Sequence, residues 1–84
     1  MTSLKRVGSI TKTREGSLVL VNEKREGYAV DELVAFIWSK ADGKTRDELV
    51  KNVASELNIS EEEIKSDVNN IVDKLKDAEL LRED

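Results

Sequence analysis

The 84-residue chain contains no cysteine and no histidine. Without cysteine it can form no disulfide bond and has no thiolate nucleophile, and without histidine it lacks the commonest general base and metal ligand. No apolar run approaches the roughly 20 residues that a membrane-spanning helix needs, and the N-terminus lacks the apolar core of a signal peptide. We therefore expect a cytoplasmic domain that contacts no membrane and holds no cofactor.

The length and the charge of the chain further limit the classes of fold and function that it can have. A chain of this size forms one domain, residues 1–84, with a modest core but no room for a deep catalytic cleft as well. The net charge of −4 is unevenly distributed, because residues 1–30 carry six Lys or Arg against three Glu, whereas residues 31–84 carry eight against fifteen Asp or Glu. The acidic half disfavours a nucleic-acid partner.

Aromatic residues are also scarce, with one Trp, one Tyr and one Phe, and all three lie between residues 28 and 38. The apolar positions 33, 36, 37 and 41 follow the spacing of one helical face. Asp31 is a suitable N-cap for this helix, and Asp42-Gly43 supplies its end. So apolar a helix must be covered by the rest of the chain, and we expect Phe36, Ile37 and Trp38 in the core.

The residues before this helix predict a three-stranded antiparallel meander. The first strand spans Leu4–Thr13, a two-residue turn follows at Glu15-Gly16, and the second strand spans Ser17–Val21. A polar loop over residues 22–27 then leads to a short third strand, Tyr28–Val30. Four consecutive apolar residues, Leu18–Val21, place apolar side chains on both faces of the sheet. We therefore expect the outer face of the sheet to be covered, either by the N-terminal segment or by a second copy of the protein in a homodimer.

Two further helices have clear start signals. Thr45 with Glu48, and Ser60 with Glu63, form the spacing of a capping box. The second helix ends near Asn58, and the third continues past residue 75. The sequence thus predicts an α+β, winged-helix-like fold in which a three-stranded antiparallel sheet precedes three helices, in the order βββααα.

No stretch predicts a metal site or a catalytic residue. The acidic run Glu61-Glu62-Glu63 lies in the first turn of a helix, where carboxylates oppose the positive end of the helix dipole, and consecutive residues point in different directions. No serine has an identifiable base, and no glycine-rich loop precedes a helix to hold phosphate. We interpret the chain as a non-catalytic protein.

Two binding functions remain. A winged-helix DNA-binding regulator would place its last helix in the major groove, but residues 60–79 carry seven Asp or Glu against three Lys, which phosphates would repel. Alternatively, the third strand leaves unpaired backbone groups at an edge of the meander, to which an extended peptide could add. From the residues alone, an ordinary short edge strand is the competing interpretation.

A family resemblance favours the peptide. The motifs that resemble the PqqD-like family, the recognition domains for precursors of ribosomally made, modified peptides, are Val30-Asp31, Ala35, Ile37-Trp38, Asp42-Gly43, Thr45 and Glu48-Leu49-Val50. The resemblance continues through Asp67-Val68, Leu75 and Leu80-Leu81, and it covers residues 17–81.

The resemblance implies a function and a site. Members of the family bind the leader of a precursor peptide as a fourth strand, beside the third strand and against the last helix. They present it to a modifying enzyme, often a radical-SAM protein, and are not catalysts themselves. On this sequence the strand would be Tyr28, Ala29 and Val30. The core line of the last helix would run through Ile64, Val68, Ile71 and Leu75. The groove would be lined by one flank of that helix, either Lys65 and Val72 or Asp67 and Lys74, and the sequence does not decide which.

Overall fold

The computed structural model describes residues 2–84 and has an α+β architecture of five strands and three helices. The elements in chain order are β1 (Leu4–Arg6), β2 (Ser9–Lys12), β3 (Leu18–Val21), β4 (Gly27–Val30), α1 (Glu32–Ala41), α2 (Arg46–Leu57), α3 (Glu61–Asp77) and β5 (Leu81–Glu83).

The predicted meander and the three predicted helices are confirmed. Strands β2, β3 and β4 form an antiparallel sheet in that order, with Ile10 opposite Leu20 and Leu20 opposite Tyr28. Because opposite residues in a sheet share a face, these three side chains lie on one side, which we call the inner face. Leu20 is fully buried there and packs into the core that the helices share.

The prediction of one long first strand, Leu4–Thr13, is wrong. The chain turns at Gly8 (φ +88°), so that β1 leaves the sheet and pairs with β5 as a separate antiparallel ribbon. A side chain at Gly8 would collide with the backbone oxygen of Val21, which explains why the turn requires glycine. The observed order is therefore ββββαααβ, with the N- and C-terminal segments paired.

The outer face of the sheet carries Val19 and Val21, which are half-buried between the small residues of the flanking strands. The N-terminal strand β1 pairs with β5 and packs against α1. It is therefore engaged elsewhere, and a homodimer through the outer face stays a prediction.

Each helix begins at the residue that the sequence predicts. The Asp31 carboxylate accepts a hydrogen bond from Val34 N (2.8 Å), and Ser60 Oγ accepts one from Glu63 N (3.3 Å). At α2 both halves of the capping box form, from Glu48 N to Thr45 Oγ1 and from Thr45 N to Glu48 Oε1 (2.9 Å). The acceptor role of Glu48 holds the pKa of its carboxyl below the usual value.

The core lies between the sheet and the helices, and the central stretch of the sequence crosses it. Ile37 and Trp38 are buried, as predicted, whereas Phe36 is only partly covered. Trp38 Nε1 donates a hydrogen bond to Leu80 O (2.9 Å), and the Arg6 guanidinium lies 5.1 Å from the centre of the indole ring. The indole therefore connects α1 to both terminal segments.

Candidate functional site

Strand β4 forms one edge of the three-stranded sheet, and beyond it no further strand is paired within residues 2–84. The direction of its backbone groups follows from the turn, where Asn22 N donates to Glu26 O (3.1 Å). Because hydrogen-bonded and non-hydrogen-bonded pairs alternate in an antiparallel ladder, Tyr28 and Val30 bond to β3. The N–H and C=O of Ala29 therefore point away from β3, toward the open edge.

A groove of about 310 Å³ lies between this edge and α3. Its strand side is formed by Tyr28, Ala29, Val30 and Asp31, and its remaining wall by Val34, Ile71, Lys74, Leu75, Ala78 and Leu80. The wall is apolar apart from Lys74. An open strand edge beside an apolar cleft is the geometry that binds an extended peptide by strand addition.

Asn22 holds one end of this groove. The residue is 4% exposed, and its Nδ2 donates to Ala78 O (2.8 Å) and to Glu26 Oε1 (2.9 Å). Its Oδ1 accepts from Lys24 N and Glu26 N, both at 3.0 Å. The side chain thus fixes the turn before β4 to the C-terminal end of α3 and sets the separation of the two groove walls at that end.

The floor of the groove is fixed by backbone hydrogen bonds at Leu80, which is fully buried. Leu80 N donates to Leu75 O (2.8 Å), and Leu80 O accepts from Val7 N (3.0 Å) as well as from the Trp38 indole. Three separate parts of the chain meet at this residue. Although Leu80 lies in the turn between α3 and β5, these hydrogen bonds to distant parts of the chain hold the floor of the groove in place.

Charged side chains surround the apolar wall. At the Asn22 end, Lys24 Nζ pairs with Glu79 Oε2 (2.8 Å), and this hydrogen bond raises the pKa of Lys24 above its usual value. At the opposite end, Asp31 caps α1. Lys74 lies on the α3 side between these ends.

The structure brings together four of the residues named from the sequence: Tyr28, Ala29, Val30 and Lys74. Asp67 is exposed on α3 one turn before Ile71, outside the lining of the groove.

The other predicted flank lies away from the groove, and this corrects the expectation for Lys65 and Val72. Val72 is fully buried in the core, and Lys65 lines a depression between α2 and the start of α3. The reason is the rotation of α3, whose core line runs through Val68, Val72 and Leu75. Ile71, which the sequence assigned to that line, is only partly buried and faces the groove.

Several groove residues could not be named from the sequence. Ile71 and Ala78 share a helical face with Lys74, at spacings of three and four residues, so the correct flank would have identified them. Val34 and Leu80 come from other elements, and no local pattern associates them with β4.

A charged cluster on the far side of α3 supports the fold. Arg46 bonds both oxygens of Glu83, through Nε (2.9 Å) and an NH2 group (3.1 Å), and also reaches Asp73 Oδ1 (2.8 Å). Lys76 Nζ contacts Glu83 Oε1 at 2.9 Å. These cations lower the pKa of Glu83 to about 2, with the Arg46 hydrogen bonds as the largest cause.

Within residues 2–84 no group of three or more acidic side chains gathers in a way that could hold a metal ion. Glu61, Glu62 and Glu63 occupy the first turn of α3, as the capping interpretation predicts. None of the helices in the described part of the chain is long and apolar enough to cross a membrane.

The fold and the groove define a small α+β domain with an open sheet edge beside an apolar cleft. The model of the PqqD family, described as Coenzyme PQQ synthesis protein D, matches residues 17–81, which include every strand and helix of the groove. The chain belongs to the PqqD family, and the resemblance seen in the sequence is confirmed. No curated protein and no solved structure matches the chain significantly.

Proposed function

We propose that this protein is a non-catalytic adaptor that binds the leader of a ribosomally made precursor peptide and presents it to a modifying enzyme. Membership of the PqqD family supports this proposal, since the family description places its members in the synthesis of a coenzyme. Residues 1–84 act as one peptide-recognition domain. The modifying chemistry belongs to the partner, such as a radical-SAM protein, and the complex forms in the cytoplasm, where ribosomal peptides are made.

The observation that carries the proposal is the position of Ala29. Its N–H and C=O point to the open edge, and the apolar groove lies directly beside them. A peptide strand can therefore gain main-chain hydrogen bonds at Ala29 and bury side chains at the same place. An ordinary edge strand would not need an apolar groove beside it.

The register of such a peptide follows from the sheet. Ala29 lies opposite Val19 on the outer face, so the peptide residue beside Ala29 directs its side chain outward. Its two neighbours direct theirs to the inner face, beside Tyr28 and Val30, and enter the groove. Tyr28 is 37% exposed and would become covered by the peptide.

The DNA-binding alternative has less support. Helix α3 carries six Asp or Glu against three Lys over residues 61–77, and its first turn is entirely acidic. Because phosphate contacts supply most non-specific affinity, DNA binding would weaken by orders of magnitude on raising the salt concentration. Peptide binding through backbone bonds and apolar contacts should change little over the same range.

Replacing Ala29 by proline tests the proposal. Ala29→Pro removes the outward N–H and places a ring on the open edge, so binding should weaken at least about fivefold, since a lost hydrogen bond contributes about 1 kcal/mol and the ring adds a steric clash. The ladder between β3 and β4 should remain, because that N–H takes no part in it. The probe is a labelled peptide selected from a displayed library of short random peptides on the wild-type protein, with affinity measured by fluorescence anisotropy.

The opposite edge of the sheet offers a matched control. Thr13 N donates to Ser17 O (2.9 Å), and by the same alternation the N–H of Ile10 points outward from β2. Ile10→Pro should therefore bind the selected peptide as the wild type does. Equal affinity of wild type and folded Ala29→Pro, or a library that yields no binder, would contradict strand addition at β4.

A further inference from the structure

Lys74 is a positive charge without a partner in the groove. Within residues 2–84 no carboxylate oxygen lies within ion-pair distance of its ammonium group. By contrast, Lys24 at the end of the groove is paired with Glu79 at 2.8 Å, and Lys76 on the far side of α3 is paired with Glu83 at 2.9 Å. A ligand that brings an opposite charge close to Lys74 stabilises the charged form of this lysine.

The charges around Lys74 determine which kind of peptide side chain the groove can attract. The protein has a net charge of −4, so an acidic peptide gains no general attraction and must be bound locally. The other charged residue of the groove, Asp31, is already hydrogen bonded to Val34 N at the start of α1. Lys74 is therefore the free charge that the groove offers to a side chain.

We propose that Lys74 binds a carboxylate of the peptide, so that the groove selects an acidic residue two positions from an apolar one. This inference rests on the strand addition proposed above. The peptide residue paired with Ala29 faces outward, and the residues on either side of it face α3. The groove that these side chains would enter is lined by Leu75 and Leu80 as well as by Lys74, so one of them would contact the apolar floor and the other the ammonium group. An even spacing between the two is required, because adjacent residues lie on opposite faces.

The competing explanation is that the lysine only contributes its aliphatic stem to the groove wall. Three substitutions at this exposed position separate charge from stem. Lys74→Met keeps the stem and removes the charge, Lys74→Arg keeps the charge, and Lys74→Glu reverses it. If the stem alone mattered, methionine would bind the peptide as well as lysine does.

The test selects random peptides on the wild-type protein and, separately, on Lys74→Glu. Wild type should enrich Asp or Glu two positions from an apolar residue, and Lys74→Glu should enrich Lys or Arg at that position. For a peptide selected on wild type, Lys74→Met should weaken binding about three- to tenfold and Lys74→Arg should not, as expected for a partly covered ion pair. Changing the peptide's acid to its amide should weaken wild type by the same factor and leave Lys74→Met unaffected.

The two proposals fail in different ways. Binders that depend on Ala29 but show no preference for charge would overturn the role of Lys74 and leave strand addition standing. The same enriched residues on wild type and Lys74→Glu would also overturn it. If no selected peptide loses affinity on Ala29→Pro, strand addition itself is contradicted, and the inference about Lys74 falls with it.

Discussion

Asn22 is a buried amide whose donors and acceptor are all used, in hydrogen bonds of 2.8–3.0 Å. Such a residue is costly to alter, because each partner that it leaves behind remains buried without a bond. Its bond to Ala78 O spans 56 residues of sequence and connects the turn before β4 to the end of α3. This side chain thus holds the two walls of the groove together at one end.

Asn22→Ala should lower the free energy of unfolding by about 2–4 kcal/mol, since it removes the bonds and leaves buried groups unpaired. It should also weaken peptide binding in the fraction that remains folded, because one end of the groove is released. Urea denaturation followed by tryptophan fluorescence measures the first effect, since the chain has a single Trp.

Asn52 provides a control with the same substitution. Its Oδ1 is buried without a hydrogen-bond partner among residues 2–84, in the middle of α2. Asn52→Ala removes that unsatisfied atom and introduces a better helix former, so the protein should be unchanged or more stable. A loss of stability in Asn52→Ala comparable to that in Asn22→Ala would show that truncation itself, rather than the hydrogen bonds, explains the Asn22 result.

At the scale of secondary-structure elements, Gly8 determines which strands the N-terminal residues form and with which partners they pair. It separates β1 from β2 and allows the first strand to leave the sheet and pair with β5. The composition of residues 4–13, rich in Val, Ile, Thr and Ser, suits one continuous strand equally well, so the break depends on the close approach of Gly8 to Val21. That contact joins residues far apart in the chain, and a local pattern does not contain it.

Gly8→Ala should therefore destabilise the protein strongly, and Gly43→Ala is its matched control. Both glycines have positive φ, +88° and +78°, so both variants pay the cost of that conformation, about 1–2 kcal/mol. Only Gly8 also meets backbone atoms, because nothing lies within 4 Å of a Cβ at Gly43. Thermal unfolding should give a clearly lower midpoint for Gly8→Ala, and equal midpoints would contradict the proposed close approach.

At the scale of the whole molecule, the Arg46–Glu83 cluster joins the C-terminal strand to α2 and α3. The pKa of Glu83 is about 2 in the folded protein, below the 4.5 of an unperturbed glutamate side chain. A carboxyl with a lowered pKa stabilises the fold above its unfolded pKa, and the stabilisation is lost as the pH falls toward the folded value. The loss therefore occurs between about pH 4.5 and pH 2.

Glu83→Gln isolates this contribution from the other carboxyls. At neutral pH the variant should be less stable than wild type by about 1–2 kcal/mol, a value reduced from the full pKa shift because solvent screens the cluster. The difference should shrink toward zero as the pH approaches 2. Chemical denaturation of both proteins across this range gives the comparison, and a difference that stays constant with pH would contradict the assignment.

Some residues of the candidate site could be predicted from the sequence, and others only from the tertiary structure. Tyr28, Ala29 and Val30 could be placed at an edge from the sequence, because a short apolar strand entering a helix is a local pattern. Lys74 lay on one of the two flanks of α3 that the sequence left open, and only the rotation of that helix brings it to the groove. That rotation results from burying Val72 rather than Ile71, a choice made by the packing of α3 against the other helices.

The sequence by itself determined the elements that depend on neighbours a few residues apart. The N-caps at Asp31, Thr45 and Ser60, the helical periodicities and the three-stranded meander all follow from such short-range interactions. Only the tertiary structure decided the pairing of β1 with β5, the face of α3 that meets β4, and the bond from Asn22 to Ala78 that closes the groove. These features join residues from distant parts of the chain, and each is stable only because the rest of the fold has already brought its partners together.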